Sequence, residues 1–358
     1  MFLFLLQYED TTNGVEYDSS SRKVIISTPS NLQHFVVPSS VEIILGGDSS
    51  SKSSFDKCRS SIISITFEDN SKVFEIDEWV FSYSSLETID MHTCDRLPYL
   101  NNSLFSNSRK LNNINFPQKI KELRYGCFYN CESLKSVTLP DSLETIYDWS
   151  STHGRVFNDY LESVTITSQS NLTTILSDAF YQTKLKYFYI PPKLKTIISS
   201  AFTGVPIERF DVDQNNPYFK SEGNILYSGA NNNTLHFVPS STSGTYIIPS
   251  FVININDNCF RSTKVTQVII HENVESIGTQ CFTESTITSF TYNSKITRIN
   301  DTTFVNCHSL DSIAVNDVIT EIGQYAFSGC NNLKNIRLPA NLVSIGYLHS
   351  MVVKNLMT

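Results

Sequence analysis

The residues best equipped for chemistry are eight cysteines and seven histidines in a chain of 358 residues. Thiols and imidazoles at short, fixed spacing hold zinc or form a nucleophile and base, so their spacing decides the matter. Cys58, Cys94, Cys127, Cys131, Cys259, Cys281, Cys307 and Cys330 contain no Cys-x-x-Cys. Cys127 and Cys131 have no paired second half to complete a zinc site. His271-Glu272 has no histidine three residues further on, so no metalloprotease helix motif exists. His308 beside Cys307 resembles a thiol–imidazole pair, but the equivalent positions hold Glu132 and Asn331, which makes it a solvated turn residue. Asp77-Glu78 and Asp211/Asp213 pair carboxylates without an apolar cleft to raise one pKa. Phosphate-binding glycine loops and the Gly-x-Ser-x-Gly elbow are also missing. The expectation is a protein that is not an enzyme, with no catalytic residue, no metal and no cofactor.

The positions of these cysteines lead back to the elements that carry them. The phenylalanines at 81, 105, 128, 157, 180, 202, 260, 282, 304 and 327 are separated by steps of 24, 23, 29, 23, 22, 58, 22, 22 and 23. Two steps carry insertions, Tyr147–Gly154 and a longer one around residues 211–250. Seven cysteines fall on this repeat: Cys58, Cys131, Cys307 and Cys330 stand three after a Phe, and Cys127, Cys259 and Cys281 one before. Only Cys94 is off-pattern. A free cysteine behaves as a small buried apolar residue, so the expectation is an interior ladder. The spacing of stacked turns would also allow a bridge between Cys307 and Cys330 or between Cys259 and Cys281.

Each unit ends in L-x-x-I-x-L, as in Leu134-Lys-Ser-Val137-Thr-Leu139. Its last residues alternate like a strand with one buried face, and it is too short for a helix. Pro117, Pro140, Pro191 and Pro339 follow directly and end the strand, because proline cannot continue a ladder. One such unit cannot bury its apolar side, whereas stacked copies can. With a weaker first unit at Phe55–Cys58, the count reaches about eleven repeats of roughly 22–24 residues. Apolar residues at 40% suit a narrow core, and the net charge of −8 removes the footprint of a nucleic-acid binder. No apolar run of 18 residues exists to insert into a membrane as a helix.

The unit I-x-x-x-A/C-F-x-x-C-x-x-L-x-x-I-x-L-P, as in Ile322-Gly-Gln-Tyr-Ala-Phe327-Ser-Gly-Cys330-Asn-Asn-Leu333-Lys-Asn-Ile336-Arg-Leu338, resembles the leucine-rich repeat of the BspA-like surface proteins of bacteria and parasitic protists. The resemblance runs from about Val15 to Ile345 and departs at the C-terminus, where Ser350 stands in place of the next Phe. It implies a repeat solenoid with a parallel β-sheet on the concave face. A related pair of segments, Gly14–Tyr17 with Lys23–Pro29 and Phe35–Pro38, and Gly223–Tyr227 with Thr234–Pro239 and Tyr246–Pro249, reads as two inserted β-hairpin units, with polar turns at Asp18–Ser21 and Ser228–Asn231. The resulting order is an N-terminal segment 1–13, a first hairpin unit 14–43, repeats 44–212, a second hairpin unit 213–250, repeats 251–346 and a degenerate end 347–358, all in one elongated solenoid domain.

Outward strand positions line the face that solenoids use for binding. Most are small and polar, as in Ser64/Thr66 and Ser136/Thr138, and the last rung presents Asn335 and Arg337. Tyr187/Tyr189 and Arg209/Asp211 differ, and Tyr and Arg are the types that dominate interface hot spots. These four are the candidate binding residues. The alternative is that both tyrosines pack on the second hairpin through Tyr218 or Phe219.

The resemblance implies a cell-surface or secreted protein that adheres to a host, matrix or cell-surface protein. Met1–Leu6 lacks the basic flank and cleavage site of a signal peptide, which leaves an intracellular scaffold as the alternative. The sequons at Asn101, Asn171, Asn232 and Asn300 occur at about chance frequency for such a composition. Protein taken from its native cell separates the two compartments. Eight titratable thiols with unmodified Asn171 and Asn300 indicate the cytosol, and bridged cysteines with glycan indicate export.

Overall fold

A computed structural model describes residues 7–10, 14–18, 23–46, 53–147, 155–229, 231–334 and 336–347. The Met1–Leu6 segment, the turn at 19–21, Ala230, most of the insertion at 148–154, the rung position Asn335, and Ser350 with the chain end lie outside the described residues. Contacts group the chain into two compact units, Met1–Leu185 with Pro191–Phe202, and Lys186–Ile190 with Thr203–Thr358. Each is a β-solenoid with parallel sheets.

The L-x-x-I-x-L pieces form the rungs. In Ser136–Thr138 the central Val137 is buried while Ser136 and Thr138 are exposed. In the first unit His34–Val37, Ser64–Phe67, Thr88–Asp90 and Asn113–Asn115 make one parallel sheet, and Ser136–Thr138 pairs with Ser163–Thr165. In the second unit Tyr187–Ile190 pairs with Arg209–Val212, and Ser243–Ile247, Lys264–Ile269, Ser289–Thr291 and Ser312–Ala314 form a separate parallel sheet. The register aligns like with like: Ser289 faces Ser312, and the buried Phe290 faces Ile313.

A second, shorter strand in the turns was not expected from the sequence. In the first unit Tyr99–Leu100, Glu122–Leu123, Thr145–Ile146, Thr174–Ile175 and Thr196–Ile197 form a parallel sheet of their own. In the second unit Asn254–Ile255 pairs with Ser276–Ile277, and Arg298–Ile299, Glu321–Ile322 and Ser344–Ile345 pair in turn. Two residues are too few to show a period, so alternation alone does not reveal them. Their mark in the sequence is a second apolar pair, as in Leu143-Glu-Thr-Ile146 and Ile319-Thr-Glu-Ile322, set just before each phenylalanine.

The phenylalanine side is a corner of consecutive turns. Residues two before and two after the Phe take positive φ, for example Ser103 (53°) and Asn107 (61°) around Phe105, and Thr302 (56°) and Asn306 (58°) around Phe304. That backbone costs a non-glycine residue on the order of 1 kcal/mol, and the repeat tolerates it because it turns alternate N–H groups toward the next coil. Phe105 donates to the Cys127 carbonyl at 2.9 Å, Phe282 to Thr303 at 2.9 Å and Phe304 to Ala326 at 2.8 Å. The rings stack inside. In the first unit Phe105, Phe128, Phe157, Phe180 and Phe202 follow at centroid separations of 5.5, 5.6, 5.1 and 5.3 Å. In the second, Phe260, Phe282, Phe304 and Phe327 follow at 5.3, 5.1 and 5.6 Å. All these rings are buried.

The two insertions are antiparallel meanders. Gln7–Asp10 and Lys23–Ser27 flank Val15–Asp18, and Phe219–Glu222 and Thr234–Phe237 flank Ile225–Ser228. Each therefore carries a strand before the pair read from the sequence. Phe35–Pro38 and Tyr246–Pro249, assigned above to the hairpins, contribute instead to parallel rungs, against Ser64–Phe67 and Lys264–Ile269. Alternation fixes which face a strand buries and leaves its partner open, so the period could not distinguish a hairpin arm from a first rung.

Removing a ring in mid-stack should leave a cavity that its neighbours cannot close. Phe304→Ala is expected to cost about 3–5 kcal/mol in urea unfolding. Thr291→Ala, on the exposed rung face, is expected to stay within about 0.5 kcal/mol.

Candidate binding surface

Tyr187, Tyr189, Arg209 and Asp211 come together on one face of two adjacent strands. Tyr187 stands opposite Arg209, and Tyr189 opposite Asp211. The alternating Phe188, Ile190 and Phe210 are buried, and their burial forces the four polar or amphipathic side chains outward. The Arg209 guanidinium lies 5.1 Å from the Tyr187 ring centroid and grips Asp211 with two bonds, Nε to Oδ1 at 2.7 Å and Nη2 to Oδ2 at 2.9 Å. Tyr187 is 53% exposed. Its hydroxyl donates to Glu208 at 3.4 Å, and Glu208 also pairs with Lys186 at 3.1 Å.

Tyr189 is held differently. Its hydroxyl donates to Asp213 Oδ2 at 2.5 Å, and the same carboxylate accepts the Asn215 backbone N–H at 2.8 Å. Burial, then the Asp213 hydrogen bond and charge, push the Tyr189 phenol up to about 12. The same hydroxyl, with the Asn215 N–H, holds the Asp213 carboxyl below its ordinary value. Asp213 and Glu208 were missed as members of the cluster. Asp213 continues the outward 209, 211, 213 alternation one step past the six-residue unit, which is the signal that could have found it. Of the hairpin residues considered as packing partners, Phe219 sets its ring against His236 at 5.3 Å and Tyr218 is 46% exposed.

A cavity of about 600 Å³ is lined by every residue from Arg209 to Asp213 and by Lys220 and Ser221 of the meander. A smaller one, about 320 Å³, lies at the rungs carrying Gln267 and Ser289. Near it two outward isoleucines meet in register, Ile247 at 68% exposure and Ile269 at 43%. Ile247 was missed because its strand was assigned to the hairpin.

The cysteines flagged for chemistry are spent on the solenoid interior. All eight cysteines are buried free thiols. Those three after a Phe are more than small apolar filler. Cys131 Sγ donates to the Phe105 carbonyl at 3.2 Å, Cys307 to Phe282 at 2.9 Å and Cys330 to Phe304 at 3.0 Å, one coil back in each case. Ser108, in the same column, donates to Phe81. Burial pushes the thiols up, Cys94 to about 12 and Cys307 to about 11, so they carry no thiolate at neutral pH. His308 Nδ1 donates to the Gly329 carbonyl across the next turn, at 2.9 Å. Among the described residues no group of His, Cys, Asp and Glu is placed to hold a metal ion, and no helix is long and apolar enough to cross a membrane. Two sequons are structurally engaged: the Asn101 amide donates to the Ile76 carbonyl at 3.1 Å and that of Asn300 to Ile277 at 2.6 Å.

Parallel rungs, a second short-strand sheet and a stacked phenylalanine corner define a solenoid of leucine-rich repeat type. The family model described as "BspA type Leucine rich repeat region (6 copies)" matches residues 26–153, 149–231 and 253–349, and the chain belongs to the BspA-type leucine-rich repeat family. No curated protein matches it. Among solved structures, it is similar to a leucine-rich cell surface protein from Faecalibacterium prausnitzii, with 22% identity over 98% of this chain and 97% of that one and a TM-score of 0.66. It is also similar to the pneumococcal vaccine antigen PcpA, with 17% identity over 97% and 86% of the two chains and a TM-score of 0.64. A leucine-rich repeat protein from Eubacterium ventriosum follows, with 16% identity, 92% of each chain covered and a TM-score of 0.51.

The Tyr189–Asp213 bond has a spectroscopic signature. In the difference titration between the parent and Tyr189→Phe, the phenol should ionise near 12. Asp213→Asn should move that midpoint down toward 10 without reaching it, because burial, the larger cause, remains. Tyr189→Phe should raise the Asp213 carboxyl toward its ordinary value, read by NMR.

Proposed function

We propose that this protein is a non-enzymatic binding protein of the BspA-like type that recognises a host, matrix or cell-surface protein. Recognition is assigned to the outward face of the rung sheet, the concave face in solenoids of this kind, with Tyr187, Tyr189, Arg209 and Asp211 as the contact residues. The observation that carries this reading is a cluster that combines a half-exposed Tyr187 with a second tyrosine and the Arg209–Asp211 ion pair, where rungs such as Ser136–Thr138 and Ser312–Ala314 present only small side chains. A tyrosine and an arginine bury much area while keeping polar tips, which is what a hot spot needs. Further support comes from the family, from the fold shared with a bacterial cell surface protein and from the vaccine antigen, which agree with display at a surface or in secreted form. The count of about eleven repeats interrupted by two antiparallel insertions belongs to the same reading.

One observation favours a second reading, an intracellular scaffold. Eight buried cysteines stand as free thiols, the state that a reducing compartment maintains.

The proposal is tested on surfaces coated with extracellular-matrix proteins and on intact host cells. Tyr187→Ser combined with Tyr189→Ser should reduce capture of the full chain at least tenfold, about 1.4 kcal/mol. The melting temperature should move by less than about 2 °C, because Tyr187 is exposed, Tyr189 is only partly buried and the chain is long. Unchanged capture with a lowered melting temperature would assign the tyrosines to stability instead.

A further inference from the structure

We propose that Ser243–Ile247, the first rung of the four-stranded sheet in the second unit, takes an extended segment of a protein partner as an added parallel strand, with an acidic residue at one end and an apolar one at the other. This rests on the preceding reading for the partner being a protein and adds a second contact to it.

Ser243–Ile247 heads its sheet, and among the described residues it pairs with Lys264–Ile269 alone. The preceding rung, Arg209–Val212, belongs to another sheet. The meander between them does not pair with this edge, because its last strand, Thr234–Phe237, runs on to Asn254–Ile255 in the short-strand sheet. The ladder fixes which groups are left over. Ile248, buried just past the strand, donates to the Ile269 carbonyl at 2.9 Å, and the equivalent Tyr292 donates to Ala314 at 3.0 Å. Residues with inward side chains thus bond forward. The alternate ones, Thr245 and Ile247, direct their N–H and C=O away from Lys264–Ile269. No residue of the strand is buried. The outer strand of the meander, Phe219–Glu222, carries Lys220 and Glu222, charges that discourage further pairing. Ser243–Ile247 has neither a charge nor a proline, and such an edge is a template for another strand.

The side chains at the two ends of the strand select the occupant. Ile247, 68% exposed, stands beside Ile269, 43% exposed, and the two make an apolar step on the outward face. At the other end Ser243 stands beside the exposed Lys264, which has no ion pair among the described residues. A second copy of the chain, pairing antiparallel with itself about Thr245, would set Ile247 beside Ser243 and bring no carboxylate to either lysine. The sheet is parallel throughout, and a partner strand that continues it in register meets both requirements. An acidic side chain beside the small Ser243 reaches over it to Lys264, and a β-branched one beside Ile247 extends the apolar step.

The test uses the full chain and a fluorescein-labelled heptapeptide, Ser-Glu-Val-Thr-Val-Ile-Ser, followed by fluorescence anisotropy. In this register the two valines carry the N–H groups that face the edge. N-methylation of both should weaken binding at least about tenfold, and N-methylation of the Glu, Thr and Ile amides should leave it unchanged. Thr245→Pro removes an N–H that faces the edge and no ladder bond, so it should abolish binding while the melting temperature moves by less than about 2 °C. Lys264→Glu, at an exposed position, should turn the preference at least about tenfold toward the peptide with Lys in place of Glu. Equal binding of the two N-methylated peptides, a Kd above about 1 mM, or a dimer in sedimentation that Thr245→Pro dissociates would each overturn strand addition by a partner. If peptide binding fails while surface capture still depends on Tyr187 and Tyr189, the added strand is wrong and the binding face stands. If peptide binds but no surface is captured, the face is wrong and the edge stands.

Discussion

No turn of this solenoid can satisfy its own backbone. In the strand sheets residues donate both to the coil before, as Thr145 does to Lys121 at 3.0 Å, and to the coil after, as Leu139 does to Thr165 at 3.0 Å. At the phenylalanine corner Phe304 donates to Ala326 in the coil after it. Among the described residues an interior coil thus bonds its backbone to the coils on both sides, which fixes the register of the stack. Because each position sits directly over its equivalent, each column must hold residues of one kind. The close approach is severe at Gly278, where a Cβ would fall 2.3 Å from the Asp257 nitrogen, and at Gly323, where it would fall 2.3 Å from Asp301 Oδ1.

This constraint accounts for residues that would otherwise suggest chemistry. At four of the positions three residues after a Phe, a buried donor reaches a carbonyl one coil back, and both Cys and Ser serve there. Cys131, Cys307 and Cys330 occupy this column alongside Ser108. The asparagines play the same part on other columns, as Asn101 and Asn300 do by bonding carbonyls of the preceding coil. Function is then left to the side chains that the stack does not consume, the outward positions of the rungs and the places where stacking is interrupted.

In the second unit the interruption and the unusual outward side chains coincide. The strand bearing Arg209 and Asp211 is the last of its sheet, and the meander that follows supplies the far wall of a polar cavity. The tyrosine hydroxyls on the preceding strand bond to Glu208 and Asp213, and the shorter bond, to Asp213, holds the Tyr189 ring in place. A rigid, partly exposed aromatic loses little conformational entropy on binding. An insertion that at first looks like a defect in the repeat thus gathers aromatic, cationic and anionic groups beside backbone.

The sequence by itself determined the rungs, the interior phenylalanines and the outward four, Tyr187, Tyr189, Arg209 and Asp211. It could do so because a period of about 23 residues makes each coil a copy of its neighbour, and within a rung alternation sorts side chains by face. The two-residue strands before each Phe escaped it because they are shorter than one readable period. The assignment of Tyr246–Pro249 to a hairpin failed because alternation does not name a strand's partner. Only tertiary structure decided that this segment begins a new sheet and that Asp213 closes on Tyr189. Those outcomes depend on which strand lies alongside which, a matter of hydrogen-bonding between coils and not of the order of residues within one.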